Sequence, residues 1–163
     1  MIRVDEDQKP RDILNKQLFS LLTRSADLAL EYEGVDPAFI EVSLSFVPEQ
    51  EIRELNARYR DRDEATDVLS FPMYAGIEDI EAALEGHKDR RAPQAVMLGD
   101  IVICLEVAAR QADEIGQSLE KELVYLFGHS MFHLLGHDHE NEEDRRRMRA
   151  AEEDVLMGME WGE

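Results

Sequence analysis

Four of the five histidines in this 163-residue sequence fall in the eleven positions from His129 to His139. Neutral imidazoles clustered this densely suit a divalent metal ion. His129 and His133 stand four residues apart, which on an α-helix places both rings on one face, one turn apart. Gly136 can take the left-handed conformation that ends a helix, so the chain can turn back and bring His139 to the same ion. Three imidazoles with a fourth position left open are the arrangement expected of one catalytic zinc ion. His137 falls on the turn between the second and third ligands and is expected to be a pocket or surface residue, not a fourth ligand.

The spacing His-x-x-x-His-x-x-Gly-x-x-His is that of metzincin proteases, whose motif carries a general-base Glu after the first His. Here that position is Ser130. A hydroxyl cannot take a proton near neutral pH as a carboxylate does, which argues against a peptidase. No carboxylate is placed as general base by spacing alone. Asp138 is a candidate to orient a ligand imidazole through its second nitrogen.

These side chains need a rigid platform. Ser118 suits an N-cap, Glu120 and Glu122 suit a first turn, and Leu119, Leu123, Leu126 and Phe127 make the helix that carries His129 and His133 largely buried. Asn141, Glu142, Glu143 and Asp144 read as the start of a last helix, with Met148, Ala151 and Val155 inward and Arg145, Arg146, Arg147 and Arg149 outward. Upstream, Leu98 to Cys104 is the most apolar strand and is expected to be central. A helix over Leu105 to Ile115, ended by Gly116, follows it.

The N-terminal half alternates in the same way. Met1 to Val4 is a candidate edge strand, and Pro10 to Tyr32 carries leucines at helical spacing. Ile40 to Val47 alternates as a strand with one buried side, and a helix opens after Pro48. Thr66 to Pro72 reads as a second strand that could lie at a sheet edge. Tyr74 to Val96 reads as an irregular excursion with a short helix over Ile77 to Leu84. The fold expected is an α/β (α+β) sandwich: a small mixed four-stranded sheet, about five helices and the metal-site helix at the centre, in one domain over residues 1–163.

The net charge of −19 argues against a general affinity for nucleic acid, so a polyanionic partner must meet a local positive site. Candidate positive groups are Arg58, Arg60 and Arg62, then Lys88, Arg90, Arg91 and the Arg145 to Arg149 group. The single Cys104 among apolar neighbours reads as a buried core thiol in a reducing compartment. No apolar run is long enough to span a membrane and no leader pattern opens the chain, so a cytoplasmic protein is expected.

Two segments together resemble one family, the YbeY family of bacterial metal-dependent endoribonucleases that act in ribosomal RNA maturation. One runs from Leu55 through Asn56-Ala57-Arg58-Tyr59-Arg60-Asp61-Arg62-Asp63 to Thr66-Asp67-Val68-Leu69-Ser70-Phe71-Pro72, the other from His129 to His139, with Leu98-Gly99-Asp100 fitting between them. The resemblance implies that His129, His133 and His139 bind zinc and that Arg60 is the arginine needed for activity. Arg58, Arg62, Asp67 and Ser70 are expected to meet the substrate. The implied substrate is single-stranded RNA, with ribosomal RNA and the small ribosomal subunit as partners, in 16S RNA 3′-end maturation and ribosome quality control. Ser130 stands where the family usually has glycine, placing a hydroxyl near the ion, and His137 stands where tyrosine is common. Two alternatives remain at this point: a zinc-containing ribosome-assembly or RNA-binding factor without catalysis, and a metzincin-like peptidase.

Overall fold

The structure, a computed structural model, describes residues 1–88, 95–138 and 140–159. Four strands form one sheet: β1 (Ile2–Val4), β2 (Ile40–Phe46), β3 (Val68–Pro72) and β4 (Val96–Ile103), in the order β1-β2-β4-β3. β1, β2 and β4 run parallel, and β3 pairs antiparallel with β4 at the edge. The sheet is therefore mixed and four-stranded, as expected, and the Thr66 to Pro72 segment does lie at an edge.

Six α-helices pack around it: α1 (Lys16–Tyr32), α2 (Glu49–Arg60), α3 (Ile77–Lys88), α4 (Leu105–Ile115), α5 (Leu119–Leu134) and α6 (Glu142–Gly158). A 3-10 turn over Pro37–Phe39 leads into β2. α3 is longer than the short helix expected inside the Tyr74 to Val96 section. Its core-facing residues among those described, Ile77, Ile80, Ala83 and Leu84, end at Leu84, so sequence periodicity does not show the last turn. α1 starts later than Pro10, because the Asn15 side chain accepts the Leu18 amide at 2.9 Å and caps the helix there. Pro10 instead heads a separate turn, its carbonyl accepting the amides of Ile13 and Leu14.

The packing of β4 explains why its sequence is apolar almost throughout, with Asp100 its one charged and exposed residue. Ile101 and Ile103 face the main core, while Val102, with Cys104 just beyond the strand, enters a smaller core with Ile52, Leu69 and Val107. A strand covered on both faces has no polar side to show. The Cys104 thiol is fully buried, in agreement with the core reading.

α5 lies in the middle, in contact with α1, α4, α6, β3 and β4. Its Ser118 cap accepts the Lys121 amide at 3.2 Å, and Phe127, Met131, Phe132 and Leu134 have no exposed surface. A glycine allows α5 to lie this close to the sheet. Gly99, at φ +152°, faces α5 where a Cβ would come within 2.9 Å of Leu134 Cδ2 and closer still to the Phe71 carbonyl oxygen. Side chains at each end of α5 can thus be held to within fractions of an ångström by the packing of the core.

Candidate active site

His129 and His133 sit in the last two turns of α5, and their rings meet edge to face with centroids 4.7 Å apart. Their Nε2 atoms are 3.1 Å apart. Two nitrogens bound to one tetrahedral zinc at the usual bond length are separated by roughly 3.3 Å, so this pair is already set at about the right span. His133 Nδ1 donates to the His137 carbonyl at 3.0 Å. A carbonyl only accepts, so the proton of the neutral ring is on Nδ1 and the lone pair on Nε2. His129 Nδ1 contacts the Glu152 carboxylate of α6. The Tyr125 ring stacks on the other side of His129, 5.9 Å between centroids and 28° from parallel.

The turn after α5 follows the expected logic. Gly136 has φ +100°, and a Cβ there would meet the Gly76 Cα at 2.9 Å. Glycine is needed both for the left-handed turn and for the close approach of the chain before α3. His139 lies outside the described residues. Among those described, no three His, Cys, Asp or Glu side chains are grouped around one point. The donor set that is described, two neutral imidazoles with converging Nε2 atoms, fits a zinc ion.

Arg60 lines the same cleft as His129 and His133. It is the last residue of α2, where Asp61 at φ 60° closes the helix in the left-handed conformation. The Asn56 side chain donates to the Glu64 carbonyl at 2.9 Å and holds the loop that follows. The Arg60 guanidinium donates to the Ser70 carbonyl and lies over the Phe71 ring, 5.7 Å from its centroid. Arg60, His129 and His133 line one open cleft of about 920 Å³, together with Arg62, Asp67, Ser70 and Tyr74.

A chain that turns two paired imidazoles and an anchored arginine into one cleft invites comparison with known proteins. A family profile described as endoribonuclease YbeY matches residues 3–160. The chain belongs to this family. Among its YbeY relatives, the protein of Thermoanaerobacter sp. (strain X514), named endoribonuclease YbeY, is 43% identical over 99% of this chain and 98% of its own length. That of Caldanaerobacter subterraneus subsp. tengcongensis, with the same name, is 50% identical over 85% of each chain. The solution structure of a Thermotoga maritima protein superposes with a TM-score of 0.54 at 26% identity, covering 97% of this chain and 91% of that one.

Against the YbeY expectations, the structure brings Arg60, Arg62, Asp67 and Ser70 together with His129 and His133, but not Arg58. Arg58 is exposed on α2 and is absent from the cleft wall, because two residues along a helix turn it away from Arg60. Arg62 is largely exposed, 3.9 Å from Glu64. Asp67 is engaged within the chain: Oδ1 accepts the Val68 amide at 2.7 Å, and the Gln111 side-chain amide, with its nitrogen turned toward the carboxylates around it, donates to Oδ2 at 2.8 Å. Ser70 is buried and serves Arg60 through its backbone carbonyl.

One expectation needs correction. Ser130 does not place a hydroxyl in the cleft: it is fully buried, its Oγ finds no partner among the described residues, and the cleft wall does not include it. One residue along a helix is a rotation of about 100°, which carries it from the ligand face into the core. Asp138 Oδ1 accepts the Glu140 amide at 3.1 Å, while the Nδ1 atoms of His129 and His133 meet other groups. Those groups are Glu152 and the His137 carbonyl. His137 turns its own ring to Glu33 at the end of α1. Lys88 beyond its backbone, Arg90 and Arg91 lie outside the description, and Arg146 and Arg147 pair with Glu142 and Glu143 on the same helix.

Proposed function

We propose that this chain is a single-strand-specific, zinc-dependent endoribonuclease of the cytoplasm, acting in ribosomal RNA processing at the 3′ end of 16S RNA and in ribosome quality control. The family membership supports the ribonuclease chemistry. The observation that carries it to particular residues is the shared cleft, which Arg60 lines together with His129 and His133, whose Nε2 atoms are paired 3.1 Å apart.

In this reading His129, His133 and His139 hold one zinc ion. Such an ion supplies electrophilic chemistry, lowering the pKa of water toward neutrality and polarising a phosphate oxygen. Arg60 binds the scissile phosphate. One of its amino groups is held by the Ser70 carbonyl, so the planar fork is fixed in orientation and its remaining donors can address two phosphate oxygens as charge develops. The partly buried Tyr74 offers a ring in the same wall on which an unpaired base can stack. The protein's charge of −19, with Glu64, Asp138 and Glu140 on the rim, restricts RNA to the strip around Arg60 and Arg62. Single-stranded RNA bends into such a strip where a duplex does not. Among the described residues no helix is long and apolar enough to cross a membrane.

The test is cleavage of an end-labelled single-stranded RNA by wild type, Arg60→Ala and His133→Ala proteins, each with its fold verified by circular dichroism. Metal-dependent cutting by wild type, lost in both variants, is expected. Equal cutting by the His133→Ala protein assigns the activity elsewhere. Analysis of product ends separates attack by water from attack by the ribose 2′-hydroxyl, which leaves a cyclic phosphate.

A further inference from the structure

Glu152 lies on α6, 23 residues beyond the imidazole it touches, in a helix whose sequence reads as an acidic and basic surface around a short apolar stripe. Its side chain is only 14% exposed, and that of His129 23%, so the pair is formed with little help from water. α6 does not depend on this contact for its place, because Met148, Ala151 and Val155 are buried against the core.

A carboxylate at neutral pH is an acceptor only, so its contact with Nδ1 requires the His129 proton to be there. In the neutral ring, the form that binds a metal, the lone pair is then left on Nε2. The His137 carbonyl imposes the same tautomer on His133 from the other side. Two acceptor nitrogens held 3.1 Å apart repel one another unless a cation or proton stands between them. Tyr125, stacked on the His129 ring, restricts the rotation by which the imidazole could escape.

Resting on the assignment of His129 and His133 as metal ligands, we propose that Glu152 is a positioning residue. It fixes His129 as the Nδ1-protonated tautomer, aims its Nε2 lone pair at the ion and increases the ring's basicity as a ligand. The arrangement divides the work between a charged group on α6 and a backbone carbonyl after α5, so only the His129 arm can be altered by a side-chain substitution.

The experiment uses full-length Glu152→Gln and Glu152→Asp proteins beside wild type. Long-range proton-nitrogen NMR spectra of the metal-free proteins read the His129 tautomer directly, and competition with a zinc-binding dye reads affinity for zinc alone. The Nδ1-protonated form is expected in wild type and is expected to be lost in the Gln variant, whose amide both donates and accepts. Zinc affinity should fall about 10- to 100-fold in Gln. The shorter Asp is expected to lose affinity too, so the proposal stays testable should Gln fail to fold. An unchanged tautomer with zinc affinity within twofold of wild type overturns the proposal, as does a loss of melting temperature in metal-free Glu152→Gln large enough to show that the contact simply holds α6. Wild-type protein that binds zinc through this pair yet cuts no RNA sinks the ribonuclease reading and leaves the role of Glu152 standing.

Discussion

The guanidinium of Arg60 reaches ten residues along the chain to the carbonyl of Ser70 while lying over the ring of Phe71. α2 and β3 thereby hold one arginine between them, and its flat fork cannot swing freely. Replacing Arg60 with Ala is expected to lower kcat about 100- to 1,000-fold, the scale seen when one preorganised charge-stabilising donor is removed, with the melting temperature little changed. Arg60→Lys should recover little, because an ammonium group cannot serve carbonyl and phosphate with the same fixed geometry. Single-turnover cleavage and thermal denaturation check both.

Chelation should destabilise the fold as well as abolish activity. Zinc held by the folded chain alone adds about 2.7 kcal/mol when free zinc is one hundred times the dissociation constant. Melting with and without chelator is expected to show the shift in wild type and none in His133→Ala. An equal shift in both would place the bound ion elsewhere.

Ser130 makes a different prediction from its neighbours in the motif. Its buried hydroxyl has no partner among the described residues, so Ser130→Ala should be neutral or stabilising, by up to about 1 kcal/mol, and should leave zinc affinity unchanged. Urea denaturation and a zinc titration test it; a loss of affinity would return the hydroxyl to the site.

Two glycines should respond oppositely to alanine. Gly99→Ala forces a Cβ toward the Phe71 carbonyl and the Leu134 side chain at φ +152°, and is expected to cost about 2–3 kcal/mol. Gly86, inside α3 with open space around it, should gain about 0.5–1 kcal/mol on the same change. Chemical denaturation midpoints measure both.

Burial pushes the Cys104 thiol above its ordinary range. Because the folded value lies above the unfolded one, the associated stability is whole below the ordinary thiol range and is lost as pH rises through it toward the folded value. The native protein should react with a disulfide reagent far more slowly than the urea-unfolded chain at pH 8. Stability should also fall above that pH, with a slope that Cys104→Ala removes.

The platform for the histidines is legible in the sequence because its signals are local. Ser118 caps α5, the four-residue step from His129 to His133 defines a face, and Gly136 ends the turn. The strands are legible from alternation in β2 and from the largely apolar sequence of β4, broken only at Gly99-Asp100. What escapes is set by tertiary contact. Glu152 is one carboxylate among Glu142, Glu143, Asp144, Glu153 and Asp154; its spacing of four from Met148 and three from Val155 puts it on the inward face, but nothing local names the imidazole it meets. Glu33 meets His137 across 104 residues, a pairing no local pattern encodes. Ser130 shows the reverse error: adjacency in a motif suggests adjacency in space, and helical rotation undoes it.

The contact between His129 and Glu152 also orders events in time. A chain made from its N-terminus completes the sheet and α5 before the carboxylate that steadies the first ligand has been added. During synthesis the imidazole pair therefore lacks one of its two supports until α6 has been made and has folded back against α5.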